Sequence, residues 1–169
     1  MPRKPPASRT ARARSRRRTV PILTRGDVRR VLIEQADVLA PADITDLLAE
    51  QERLRGRAAK LHGTPGQIMR YQLDLALSCL RDHASGACPQ IPYRCISLLG
   101  AGVAYISDEL DFVPDFLPNG ALDDGLVLAL ACELAADGLA CYCTWKGIAP
   151  GLNLALATTA RRKTPHATR

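Results

Sequence analysis

Four aspartates, Asp111, Asp115, Asp123 and Asp124, fall in the short stretch from Tyr105 to Asp124, which also holds Asp108 and Glu109. Carboxylates at this density form a donor set for hard divalent cations such as Mg²⁺, Mn²⁺ or Ca²⁺, which take several carboxylate and carbonyl oxygens. Clustered carboxylates without a cation repel one another, and some stay protonated. A tight hairpin that brings both ends of the stretch together would let the four converge. The spacing matches no EF-hand loop, and no histidine lies nearby. The same residues fit a plainer use. Pro114 and the Pro118-Asn119-Gly120 reversal break the chain, and an aspartate just ahead of a new helix accepts a backbone N–H of its first turn and complements its dipole. Asp111 is placed to cap a turn that starts at Pro114, and Asp123 or Asp124 to cap the helix beyond. A third use is a docking surface for a basic protein partner. Tyr105, Pro114, Pro118 and Gly120 shape the turn in every case.

Little else in the chain suggests chemistry. His62, His83 and His166 are scattered, Ser97 and Ser107 have no nucleophile elbow or base, and no Gly-rich phosphate loop or dinucleotide fingerprint occurs. No catalytic residue emerges, so the reading leans away from an enzyme. The six cysteines include no Cys-x-x-Cys pair, and Cys141-x-Cys143 places its two thiols on different faces of a helix. Free thiols in a reducing compartment are expected rather than a disulfide framework or a zinc site. The basic amino terminus is followed by no apolar segment of the kind that makes a signal peptide, so a cytoplasmic rather than secreted protein is expected.

Charge is divided unevenly. Residues 1–18 hold eight bases and no acid, among them Arg12, Arg14, Arg16, Arg17 and Arg18, and residues 161–169 add four more bases. Residues 19–160 carry 11 bases against 17 acids, so the overall +6 belongs to the tails. The Arg-rich tail can hold an anionic membrane surface or a nucleic acid through counterion release, but no interleaved aromatics offer base stacking. Between Arg94 and Lys146 there are eight acids and no base. That field attracts a cation, a basic partner or the chain's own arginines.

The elements that position these residues read as helices. Ala and Leu dominate and β-branched runs are few, which favours an all-α domain of about five helices. Residues 1–22 and 149–169 are expected to be disordered basic tails around a helical domain at 23–148. Thr24 and Asp27 form a capping-box pattern for a first helix to about Ala40. Pro41 opens a second, to about Leu61. Thr64-Pro65-Gly66-Gln67 signals a third, with Thr64 as N-cap, to about His83. A fourth, almost wholly apolar, spans Pro92 to Ile106, where Gly100 and Gly102 admit a close neighbour. The fifth runs from about Asp123 to Trp145. The apolar part of the fourth, about 12 residues, falls short of the roughly 20 that a membrane span needs. The fifth carries Glu133 and Asp137 in its interior, each costing about 2.5–3.5 kcal/mol mid-membrane. Buried core helices are the first reading, and a short re-entrant or interfacial hairpin stays open.

Tyr105, Asp111, Pro114, Asp115, Phe116, Pro118, Gly120, Leu122, Asp123 and Asp124 together resemble the signature of the YkvA-like bacterial family, a short domain of unknown function. The resemblance covers residues 98–139. Glu109 stands where the family usually has proline, which loosens the first bend. The resemblance implies a small helical hairpin without established catalysis, and some members are similar to membrane-associated proteins. The leading expectation is therefore a non-enzymatic structural or interaction module, in the bacterial cytoplasm or in peripheral or integral association with a membrane. Its rivals are a divalent-metal protein or metal-dependent enzyme using the four aspartates, and a nucleic-acid-binding protein using the amino-terminal arginines. A homo-oligomer is also left open.

Overall fold

A computed structural model describes residues 24–88, 90–107 and 120–149, with only the backbone described at 120–122. These residues form seven α-helices and no strand: α1 (Arg25–Val38), α2 (Pro41–Ala49), α3 (Gln51–Ala59), α4 (Gly63–Ala84), α5 (Tyr93–Ser107), α6 (Gly120–Leu134) and α7 (Ala136–Lys146). The all-α class holds, while the expected count of five is corrected to seven. The expected second helix breaks at Glu50 and the expected fifth at Ala135. Glu50 (φ −89°, ψ 5°) and Ala135 (φ −94°, ψ 11°) both lie in the bridge region. Any residue can adopt that conformation, so no glycine or proline is needed to end one helix and start the next. At Ala135 the two helix axes bend by 80°.

Local chemistry sets most of the ends. Thr24 caps α1 as its sequence suggests: the Thr24 hydroxyl accepts from the Asp27 N–H at 3.3 Å, and the Asp27 carboxylate accepts from the Thr24 N–H at 3.0 Å. At α2 the Asp43 carboxylate accepts from the Ala40 N–H at 2.7 Å. The expected Thr64 cap is not formed. α4 begins at Gly63, whose φ of +70° reverses the chain after α3. Gly66 then passes so close to the preceding strand of chain that a Cβ would sit 1.8 Å from the Leu61 carbonyl oxygen. α7 ends in a Schellman turn, with Gly147 at φ +69° and the Ile148 N–H on the Cys143 carbonyl at 2.9 Å.

α5 is the central helix and touches each of the other six. Its sequence is apolar around the whole circumference, and residues 96–103 are buried throughout, as such a helix requires. It packs most extensively on α6. Small side chains set the spacing. A Cβ on Gly102 would lie 2.5 Å from the Ala131 Cβ on α6, and one on Gly138 of α7 would lie 2.6 Å from the Cys95 Cβ. Around α5, Leu32, Ile44, Leu54, Leu73, Leu77, Leu80, Leu99 and Leu128 are fully buried. Each such side chain contributes about 1.5–3 kcal/mol through removal from water. Among the described residues no single helix is long and apolar enough to cross a membrane. Asp123–Leu134 and Ala136–Lys146 pass that test only as a bent pair.

Candidate functional site

Asp111, Asp115, Pro114 and Pro118 lie outside the described residues, as do Arg12, Arg14, Arg16, Arg17 and Arg18 and both tails. What the structure places is the frame around the acidic turn: the end of α5, the start of α6, and α3 beside them. α6 begins at Gly120, three residues before Asp123. The expectation that Asp123 or Asp124 is its N-cap is therefore corrected, and Asp123 sits inside the first turn. There it still complements the helix dipole, but its side chain is used elsewhere. The Tyr105 hydroxyl on α5 donates to the Asp123 Oδ2 at 3.2 Å. Asp124, only 1% exposed, points a different way and pairs with Arg57 of α3 at 3.4 Å. The two adjacent aspartates thus fasten the first turns of α6 to two different helices.

A second tie secures the end of α5. Arg53 Nη2 donates to the Ser107 carbonyl at 3.0 Å and to its Oγ at 2.7 Å. Arg53 also pairs with Glu50, and the Ser107 hydroxyl donates to Glu50 Oε2 at 2.6 Å. The Ser107 hydrogen bond, followed by that of Arg53, holds the Glu50 carboxyl below its ordinary range. So the break between α2 and α3, invisible in the sequence, sets a carboxylate and a guanidinium against the end of α5. The acid-only span recruits bases from other helices: Arg57 of α3 meets Asp124, and Arg25 of α1 meets Glu133. The Arg57–Asp124 side chains are 12% and 2% exposed, whereas those of Arg25 and Glu133 are 71% and 49%. Only the first pair is desolvated enough for its integrity to matter strongly to the fold. Among the described residues no group of three or more histidine, cysteine, aspartate or glutamate side chains is arranged to hold a metal ion.

One polar network lay beyond the sequence reading. Between α4 and α7 the buried Tyr142 donates its hydroxyl hydrogen to Asp82 Oδ2 at 2.6 Å. Its one proton is thereby used, so the Ser78 hydroxyl at 2.8 Å must be the donor to the Tyr142 oxygen. Lys146 pairs with the same Asp82 oxygen, with its Nζ 5.8 Å from the Tyr142 ring and 5.7 Å from the Trp145 ring. Burial pushes the Asp82 carboxyl up, but hydrogen bonds from Lys146 and Tyr142 outweigh it and hold the group below its ordinary range. Burial, and then Asp82, push Tyr142 up. A tyrosine kept protonated beside a carboxylate is no general base, so the arrangement ties α7 to α4. The four-residue spacing of Tyr142 and Lys146 was the available signal, but it needed Asp82 from another helix to gain meaning. Four of the six cysteines are buried, and Cys141 alone is exposed. All six are free thiols, and burial drives Cys79 and Cys132 up to about 12.

Fold and site together define the class: an all-helical domain in which both described acids of the turn are used to join helices. The particular resemblance is to the "uncharacterized membrane protein YkvA" of Bacillus subtilis (strain 168), 37% identical over 68 residues. The chain is YkvA-like over that stretch, which is 40% of its own length and spans 64% of the length of that relative. No protein-family model matches the chain, and no solved structure matches it.

Proposed function

We propose that the protein is a non-enzymatic structural or interaction module that works at an anionic membrane surface. In this reading α5, the acidic turn and α6 form a hairpin scaffold, and the arginines of residues 1–18 supply electrostatic attachment. The observation that carries the module reading is the divergence of Asp123 and Asp124, each engaged with a different helix through Tyr105 and Arg57. Carboxylates committed in this way serve architecture before they serve a reacting group. The membrane part is supported by the name of the Bacillus subtilis relative and by the bent apolar pair Asp123–Leu134 and Ala136–Lys146. Bases near an anionic bilayer contribute about 1 kcal/mol each, screened by salt.

Co-sedimentation with phosphatidylglycerol-containing vesicles tests the reading. The full chain is expected to pellet at low salt, to be released at high salt, and to bind zwitterionic vesicles poorly. Removal of residues 1–22 is expected to weaken binding by several orders of magnitude. A chain that stays in the supernatant with anionic vesicles at low salt refutes the membrane role. Salt-sensitive retention on DNA or RNA that exceeds vesicle binding favours the nucleic-acid rival. A rise in melting temperature with Mg²⁺, Mn²⁺ or Ca²⁺, reversed by EDTA, favours the metal rival at Asp111, Asp115, Asp123 and Asp124.

A further inference from the structure

We infer that Cys95 of α5 and Cys141 of α7 are a thiol pair that closes to a disulfide when the chain meets a hydroperoxide. The pair is independent of the membrane reading above. Gly138 brings the two cysteines together. It lies in the first turn of α7, and a Cβ there would sit 2.6 Å from the Cys95 Cβ and 2.7 Å from the Cys95 Sγ. The Cys95 thiol therefore fills the space that a side chain at 138 would take. Cys141 follows three residues later on the same helix. Residues at that spacing share a face, with their Cβ atoms about 5–6 Å apart. Helical side chains lean toward the amino terminus, so the Cys141 thiol covers the turn that holds Gly138. Cys141 and the Cys95 sulfur thus meet on one face of α7, with no side chain at 138 to separate them. Both are free thiols.

The electrostatics agree with that placement. Burial pushes the Cys95 thiol up, the Gly138 N–H pulls it down, and Asp137 and then Cys141 push it up again. The two cysteines are close enough to sense each other. Exposure divides their roles. Cys141 is exposed and Cys95 half-buried, whereas Cys79, Cys88, Cys132 and Cys143 are buried. An oxidant in solution therefore meets Cys141 first. The Cys141 thiolate attacks the hydroperoxide: an S–O bond forms, the O–O bond breaks, and the departing oxygen takes up a proton as water or alcohol. The Cys95 thiolate then attacks the sulfenic sulfur of Cys141: the S–S bond forms, the S–O bond breaks, and hydroxide leaves as water with the proton that Cys95 gave up. Two thiols lose two electrons and two protons, and the hydroperoxide is reduced. The Gly138 N–H favours the Cys95 thiolate that the second step uses. The bond pins α7 to α5. It thereby fixes the 80° bend at Ala135, because α7 cannot swing into line with α6 without leaving α5.

The test treats the full, reduced chain with hydrogen peroxide and then blocks the remaining thiols with N-ethylmaleimide in denaturant. The six thiols are expected to fall to four while the chain stays monomeric. Digestion with trypsin, Glu-C and chymotrypsin cuts after Arg94, Glu133 and Tyr142, and so separates Cys95, Cys141 and Cys143. Mass spectrometry is expected to find Cys95 joined to Cys141. Melting temperature is expected to rise by about 10 °C on oxidation and to return with dithiothreitol. Cys141→Ser changes an exposed position, so its expected loss of the link is not a failure to fold. Four results overturn the inference: six thiols that survive peroxide, Cys141 carried to sulfinic acid with Cys95 still free, a disulfide that joins Cys141 of two chains, or Cys95 joined to another cysteine in place of Cys141. A Cys95–Cys141 link that lowers the melting temperature also overturns it, because such a bond forms only in a distorted chain.

Discussion

Asp124→Ala is expected to destabilise the fold by about 3–5 kcal/mol, the usual cost of removing one member of a buried ion pair. The size follows from burial. Asp124 is 2% exposed and Arg57 12%, so the guanidinium loses a buried carboxylate that water cannot readily replace. The exposed pair Arg25–Glu133 provides the internal comparison, and Glu133→Ala is expected to cost at most about 1 kcal/mol. Arg57→Met removes the cation and leaves the acid. The double variant Arg57→Met, Asp124→Leu replaces both charges by apolar groups and is expected to recover much of the loss, with a coupling of about 1–3 kcal/mol. Urea unfolding followed by far-ultraviolet circular dichroism measures each corner of the cycle, and an unchanged urea dependence certifies that the unfolding reaction is the same. If the single variants are additive, or if Asp124→Ala costs less than about 1 kcal/mol, Asp124 is not a structural tie. A melting point raised by Mg²⁺ in the parent and not in Asp124→Ala would reassign the residue to metal binding.

Four further outcomes are expected. Gly66→Ala is expected to cost about 3 kcal/mol, because its Cβ would strike the Leu61 backbone. Gly56→Ala, with nothing within 4 Å and a position inside α3, is expected to stabilise by about 0.5–1 kcal/mol in the same unfolding assay. Asp82 is held below its ordinary carboxyl value of 3.8, so its contribution is present above that pH and lost as pH falls through the lower folded value. Unfolding measured from neutral pH into the acid range is expected to show that decline, and Asp82→Asn to flatten it. Native-state alkylation at mildly basic pH is expected to label Cys141, which is exposed, well before Cys79 or Cys132, whose thiols are pushed up to about 12. Mass spectrometry of the labelled peptides reads the order.

The parts of this fold that were legible in the sequence are those encoded by neighbours. Thr24 and Asp27 mark the start of α1 because both halves of the box lie within four residues. Gly147 marks the end of α7 because a left-handed residue favours glycine. The hidden parts depend on contacts across the chain. Neither Glu50 nor Ala135 has a local reason to interrupt a helix, so the periodic pattern runs through both. Glu50 acquires its role only when Ser107 arrives from α5. The expected Thr64 cap gave way because Gly63 had already turned the chain and Gly66 had to slip under the Leu61 carbonyl. At the site, the sequence singled out Asp123 and Asp124 together with Asp111 and Asp115, and Tyr105 as a residue that shapes the turn. It could not assign their partners, since Arg57 lies 67 residues away from Asp124, on a helix whose placement beside α6 depends on tertiary packing.

The close approach of α5 to its neighbours has a consequence for how relatives of this chain can vary. Where Gly102 meets Ala131, and Cys95 meets Gly138, the helix spacing leaves room for a fixed combined volume rather than for particular residues. A larger side chain at one member of a pair has to be matched by a smaller one at the other, and Gly102 with Ala131 has almost nothing left to give. Such positions should drift together or hardly at all. An alignment of relatives would then show paired substitution at 95 and 138, and near-invariance at 102 and 131, for reasons of helix packing alone.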